Sequence, residues 1–493
     1  MQSTLQRHST SLLWLLLIVC VACFWVTLLP ESFWLDETVT AFVLRHGVGH
    51  PSLAAGPRLD QTIYYWLPRA SAAVLGFSEF SVRLPSLLVT LLSLALVYRL
   101  AARLVHPSAG WLGVFLCFVP HEFTRQATDA RPYGLGTCVG LLAMWFLVRW
   151  LDRGGWRDAI AFAVFAALLP WVHLVYWPFL AVFAGYAVVR ILRCETSVPL
   201  WVFAGAAIAA LACDARLISV TVGLFREARE HVVTPLPNLT NILSGFEVPA
   251  IAAIAAAAWL AARIFRWPAA RAQSRASDIA LLALWWLWQP LVLLAASWIT
   301  GNSIFVPRYF SLALPGIVLA AALGASLFLP AEAWKPAALA LAVGIVLVHF
   351  VKGPFPPTRH SHWREAAAEV NELTRDGVTP VVCPSPFVEA KSPVWTPVYS
   401  LPGFLYAHLD AYPLRQTPAL LPETVEEAGT RYARVVLLSK IVPAQRFVLY
   451  GGGYDVNEWA PWFSAQPELA DYEHRLVGVF GDVEVVLYRK RQH

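Results

Sequence analysis

The chain has 493 residues, 58% of them hydrophobic and 14% charged, with a formal net charge of +5. Soluble domains carry roughly a quarter charged residues, so the composition excludes an ordinary soluble enzyme and points to a polytopic membrane protein. No basic stripe with interleaved aromatics is present, which excludes nucleic acid as a partner, and seven cysteines placed mostly in apolar runs imply no disulfide framework.

The first apolar run, Leu12 to Leu29, is too long for a signal-peptide core and lacks a small-x-small cleavage site, so it is expected to persist as a first span. Cys20 and Cys23 inside it have the spacing of a redox pair, yet in a membrane helix they read more simply as small lipid-tolerant side chains. Further candidate spans run over Leu84–Leu104, Trp111–His121, Tyr133–Trp150, Ala159–Val172 and Tyr176–Ile191. The remaining ones are Leu200–Cys213, Val248–Ile264, Ile279–Ile299, Tyr309–Leu329 and Ala337–Phe350. On a length criterion of about 20 residues this gives about eleven spans, within a range of about ten to thirteen. The Trp111, Ala159 and Leu200 segments are short enough to be broken or re-entrant.

Lys and Arg gather in alternate short loops. Arg99 and Arg103 come first, then Arg149, Arg153 and Arg157, then Arg190 and Arg193. Arg263, Arg266, Arg271 and Arg275 follow, and finally Lys335. This asymmetry predicts a cytoplasmic N-terminus and an exterior, periplasmic C-terminus in the plasma (inner) membrane.

Between the first two spans, residues 31–83 form an exterior loop in which Thr38 to Arg45 and Gln61 to Leu75 read as amphipathic interfacial helices. Tyr64, Tyr65 and Trp66 suit headgroup depth. After Phe350 the composition changes. Gly353 to Pro357 is a stiff linker, His362 to Arg375 has helical spacing, and Thr379–Cys383, Arg434–Leu438 and Val483–Tyr488 read as strands. The predicted fold is therefore an α-helical membrane domain over residues 1–351 and a small exterior α/β domain over 352–493. The latter shows no nucleophile elbow, phosphate loop or metal-spaced His/Cys cluster.

Two adjacent carboxylates, Asp36 and Glu37, stand just beyond the first span. Acids held at a membrane surface are partly desolvated and rigidly supported, which suits a general base or a cation ligand. Three other positions on the same predicted face carry polarity that lipid would not tolerate. Asp129 and Arg131 precede Pro132 and Tyr133 at a helix start, where they pair with each other or with a bound phosphate. Arg308 opens another helix as a snorkelling anchor or a clamp for an anionic headgroup. His173 ends a short span beside Trp171, Tyr176 and Trp177, as a satisfied polar side chain or a ligand. Acids able to take a proton and cations able to hold phosphate suit group transfer from an anionic lipid carrier.

Four pieces in this order resemble the GT-C glycosyltransferases, in particular the dolichyl-phosphate-mannose protein mannosyltransferase and aminoarabinose transferase group. They are Trp34-Leu35-Asp36-Glu37, a Tyr-Tyr-Trp helix leading into Phe80 to Ser86, Asp129 to Tyr133, and Pro307 to Pro315. Trp363 to Ala367 matches bacterial members in addition. The resemblance implies a GT-C membrane fold that transfers a sugar from a polyprenyl-phosphate donor to a protein, lipid or polysaccharide acceptor, with inversion. It assigns the general base to Asp36, with Glu37 as the adjacent acid, and donor phosphate to Arg131 and Arg308. Asp129 stands where many members have Glu, and Asp60 to Tyr64 replaces a His-Pro-Pro-Leu-Tyr segment. The expected site is thus Asp36, Glu37 and Asp129 for chemistry, with Arg131, Arg308, Tyr64, Tyr65, Tyr133 and His173 for binding. A divalent metal ion bridging Asp36 and the phosphate stays an open alternative. The competing function, a transporter or flippase of lipid-linked glycans, would place charges mid-membrane in repeat-related broken helices. Here only Asp214 and Arg216 approach that pattern.

Overall fold

The computed structural model describes residues 2–55, 62–218, 220–221, 235–268, 274–352 and 361–491. The expected Gly353–Pro357 linker, Asp60, Gln61 and Arg271 lie outside the described residues.

Six helices among the described residues are long and apolar enough to cross a membrane: Ser9–Leu28, Glu79–Leu104, Tyr133–Arg153, Leu174–Leu192, Ala276–Thr300 and Trp334–Val351. The pair Leu239–Gly245 and Val248–Ile264, bent by 54° at its break, makes seven if it is counted as one broken span rather than as a re-entrant loop. Leu200–Cys213 and Ala313–Ser326 are apolar but shorter. The chain is a multi-pass membrane protein, and several of its expected spans are assembled from pieces. The Trp111–His121 segment, for example, consists of a helix at Gly110–Leu116 and a separate one at His121–Thr128. Pro120 stands at the N-cap of the second, where an extended residue without an N–H breaks the ladder.

The chain clusters into two compact units. The first comprises Met1–Leu29, Thr62–Leu67 and Arg83–Pro357. Its core is continuous, with Trp25, Phe115, Leu147, Trp150, Phe162, Phe183, Trp285 and Ile317 all buried. Helix Tyr133–Arg153 folds back onto Trp156–Val172 through Gly154, whose φ of 69° is the left-handed turn that glycine adopts cheaply. At one end of this unit, charges from four helices form a compact network. Arg103 holds Asp152 through two hydrogen bonds of 2.6 and 2.7 Å and reaches Asp278 at 3.1 Å. The buried Arg190 meets Asp152 at 3.0 Å, while Tyr186 donates to Asp278 at 2.9 Å. Pairing lets these groups tolerate burial that a single charge would not.

The second unit comprises Pro30–Gln61, Pro68–Val82 and Thr358–His493. Its five-stranded sheet has the order β2-β1-β3-β5-β4, built from β1 (Val381–Pro384), β2 (Ala419–Leu421), β3 (Arg446–Gly452), β4 (Tyr472–Phe480) and β5 (Val483–Lys490). β1 runs parallel to β2 and β3, and β5 pairs antiparallel with β3 and β4. Helices Glu427–Val436 and Gly453–Ser464 help to cover a core of Val382, Leu421, Ala433, Phe447, Leu449, Trp459, Phe463 and Tyr488. The expected strand at Arg434–Leu438 is instead helical. Its β-branched pair is outweighed by a helical stripe of buried Ala433, Val436 and Leu437, and by Arg434 gripping Glu468 with two 2.6 Å bonds.

Candidate functional site

In the first unit, the expected binding residues gather around His173. It occupies the break between helix Trp156–Val172 and the apolar stretch that begins at Leu174. The Tyr133 ring stacks on its imidazole at 5.7 Å, with Tyr176 at 5.7 Å and Tyr309 at 5.9 Å. Burial, then the positive charges of Arg131 and Arg308, push the imidazole pKa down to about 3. The ring is therefore neutral at physiological pH. Nδ1 accepts the Val175 N–H at 3.2 Å, an assignment that leaves the proton on Nε2 as a donor. Two positive charges thus act on the neighbourhood of one neutral N–H donor, with Arg308 5.6 Å from the Tyr309 ring, a combination chemically suited to an anion.

Three elements carry these groups, and hydrogen bonds fix them to one another. Thr137, one turn into helix Tyr133–Arg153, donates to Gln126 Oε1 at 2.7 Å and contacts the Ser311 carbonyl at 3.1 Å. Tyr176 Oη bonds Ser311 Oγ at 2.8 Å. Sequence reasoning missed Gln126, Thr137, Tyr176 and Ser311 as supports. Their one sequence signal is polarity inside or beside apolar helix starts.

The segment with Tyr64 and Tyr65 reaches the same neighbourhood. Thr62 Oγ1 donates to the Val172 carbonyl at 2.7 Å and Ile63 N–H to the Trp171 carbonyl at 3.0 Å. Both tyrosines are buried, their rings 5.5 Å apart edge-to-face. Asp129, also buried, caps helix His121–Thr128 at its C-terminal end, its N–H bonded to the Arg125 carbonyl at 2.8 Å.

Asp36 and Glu37 belong to the second unit, in the first turn of helix Leu35–His46. Negative charge there complements the helix dipole. Glu37 is fully buried, and its carboxylate accepts the Trp34 N–H at 3.2 Å. This is the reach-back of a capping residue at the third helical position. Asp36 is only partly buried. Among the described residues, no group of three or more His, Cys, Asp or Glu side chains is arranged to hold a metal ion. All seven cysteines are free.

Residues 61–218 match the family model described as dolichyl-phosphate-mannose-protein mannosyltransferase. No curated protein matches the sequence. The crystal structure of ArnT from Cupriavidus metallidurans in the apo state is similar over 97% of this chain and 98% of that one, with a TM-score of 0.57 at 11% identity. The same protein bound to undecaprenyl phosphate gives a TM-score of 0.55 at 12% identity, again over 97% and 98% of the two chains. The chain therefore has the fold of ArnT over nearly its whole length. The stretch matched by the family model includes Tyr64, Tyr65, Asp129, Arg131, Tyr133 and His173.

Proposed function

We propose that the chain transfers a sugar from a polyprenyl-phosphate donor to an acceptor hydroxyl on the exterior face of the membrane, with inversion and with Asp36 as general base. The observation that carries this reading is the cluster at His173, whose imidazole is flanked by the Tyr133 and Tyr309 rings, with Arg308 5.6 Å from the Tyr309 ring and Arg131 and Arg308 both acting on the imidazole by charge. Two fixed cations and a neutral N–H donor beside helix starts answer the charge that grows on a departing phosphate. Support also comes from the similar fold of ArnT, a protein whose structure with undecaprenyl phosphate is known.

In this reaction the acceptor oxygen attacks the anomeric carbon as the bond from that carbon to the phosphate oxygen breaks. The hydroxyl proton passes to the Asp36 carboxylate, and the polyprenyl phosphate leaves with its charge held by Arg131 and Arg308. A partly buried carboxylate in a helix first turn, with its neighbour Glu37 engaged in capping, is a fitting base. Tyr64, Tyr65 and Tyr133 offer apolar faces with polar tips for the sugar and prenyl chain. A cytoplasmic N-terminus and an exterior C-terminal domain are supported by Arg103, Arg190 and Arg275 meeting at one end of the first unit, around Asp152.

The test incubates the purified full chain with radiolabelled polyprenyl-phosphate sugars and envelope acceptors, comparing wild type with Asp36→Asn. Removing a general base is expected to lower the rate by about 10²–10⁴-fold. Unchanged transfer in the variant would overturn the assignment of the base. Absence of transfer with every donor would return the chain to the transporter reading.

A further inference from the structure

The helix that carries Asp36 is gripped at both ends by one short stretch of the C-terminal domain. At its N-terminal end, Phe33 N–H donates to Tyr412 Oη at 2.7 Å, and the same phenol donates to Glu79 Oε1 at 3.0 Å. Arg364 reinforces this corner from helix Trp363–Leu373. Its backbone N–H donates to Ser32 Oγ at 3.0 Å, and its guanidinium reaches the Pro30 carbonyl at 3.2 Å and Glu79 at 3.1 Å. At the C-terminal end, Asp410 accepts from His46 Nε2 at 2.9 Å and from Arg45 at 3.3 Å, and Arg45 also bonds the Asp410 carbonyl. Between the two grips, residues Glu37 to Val43 are all buried. Tyr412 and Asp410 are two residues apart, at the end of helix Ala407–Ala411, yet they hold opposite ends of a 12-residue helix.

This geometry is more specific than burial alone requires. An apolar helix face can slide or rotate on its support by fractions of a turn, because hydrophobic contact has little directional preference. Directed bonds at both ends remove that freedom. The N-terminal bond falls on Phe33, just before the N-cap Trp34 and three residues before Asp36, so it holds the chain where it enters the helix and with it the direction in which the Asp36 side chain leaves. A proton acceptor has to meet the attacking hydroxyl within hydrogen-bond reach, and small displacements there are expensive in rate.

We propose that Tyr412 and Asp410 are positioning residues for Asp36, through which the C-terminal domain fixes the orientation of the catalytic carboxylate. The inference rests on Asp36 being the base, but it has a readout that does not depend on activity. In the full chain, Tyr412→Phe keeps the ring and deletes the acceptor for Phe33 N–H. Amide exchange over residues 33–38 is expected to quicken about tenfold, the loss of a hydrogen bond worth about 1.4 kcal/mol, while β3 amides keep their wild-type protection. kcat is expected to fall about tenfold with the donor KM unchanged, since orientation and not binding is lost. Asp410→Asn should quicken exchange over residues 42–46, with Asp410→Glu restoring it. In an Asp36→Asn background, Tyr412→Phe should lower the residual rate no further, because its effect runs through the missing carboxylate.

Wild-type exchange at both ends of the helix in Tyr412→Phe and Asp410→Asn would overturn the proposal. So would faster exchange with an unchanged kcat, or an additive loss in the double variant. Should Tyr412→Phe fail to fold, the Asp410→Asn and Asp410→Glu pair decides alone. Retained activity in Asp36→Asn, by contrast, strikes only the identity of the base and leaves the exchange result standing as evidence on the grip.

Discussion

Asp36 and Glu37 are neighbours with different surroundings, and the difference sets apart what each can do. Glu37 has no exposed surface and its carboxylate is turned back onto the Trp34 N–H. A glutamine at that position retains an oxygen acceptor, whereas alanine leaves a helix-terminal N–H without one. Glu37→Gln is therefore expected to keep nearly wild-type thermal stability. Glu37→Ala should cost about 1 kcal/mol, the usual value of a lost cap, read as a Tm lowered by a few degrees in detergent. Equal Tm loss in both variants would mean that the charge, not the cap, is what the position requires. The acid pair was legible in the sequence because two carboxylates beside an apolar run are conspicuous. Their division of labour was not, since it depends on which side chain bends back toward the N-cap. His173 was legible only as a lone polar residue, because its partners Tyr133 and Tyr309 lie 40 and 136 positions away.

At the scale of elements, one turn shows how tightly the first unit is fitted around the proposed binding residues. A Cβ added at Gly136 would fall 2.2 Å from the Tyr176 ring and 2.6 Å from its hydroxyl oxygen. The ring would have to leave Ser311, and the 174–179 turn next to His173 would move with it. Gly136→Ala is expected to destabilise by about 1–3 kcal/mol, the cost of overpacking, and to raise the donor KM. Gly205, on the exposed side of helix Leu200–Cys213, is the control, since a Cβ there meets nothing within 4 Å. Gly205→Ala should be neutral or stabilising by up to about 1 kcal/mol, because alanine favours helix. Thermal unfolding and donor titration of the two variants side by side measure the contrast, and equal effects would refute it. Long elements such as Glu79–Leu104 and Ala276–Thr300 announced themselves through uninterrupted apolar runs. The helix at Glu427–Val436 did not, because Val435, Val436 and Leu437 favour a strand locally, and tertiary packing of one helical face prevailed.

At the scale of the whole molecule, residues far apart in the chain share a unit. The amphipathic Leu35–His46 helix closes against Ala407–Ala411, a partner that reading along the chain does not suggest. Within that second unit, two buried titratable groups set opposite pH dependences. Burial, with help from Glu423, raises the Asp455 carboxyl from 3.8 to about 8. Burial lowers His408 from 6.5 to about 3. Between pH 3.8 and 8 the folded domain holds a proton on Asp455 that the unfolded chain has released, so this group makes stability fall as pH rises. Between pH 3 and 6.5 the unfolded chain holds a proton on His408 that the folded domain excludes, so this group makes stability rise with pH. The two oppose each other up to pH 6.5, and above it Asp455 acts alone. The C-terminal domain in the full chain is therefore expected to lose Tm steadily from pH 6.5 to 8, with a slope approaching about 1.4 kcal/mol per pH unit. Asp455→Asn removes the titration while keeping a neutral side chain of the same shape, so its Tm should be nearly flat over that window. Buried Trp363, Trp395 and Trp459 provide the fluorescence signal for following the transition. A slope as steep in the variant as in wild type would assign the pH dependence to other groups and return Asp455 to an ordinary ionised carboxylate.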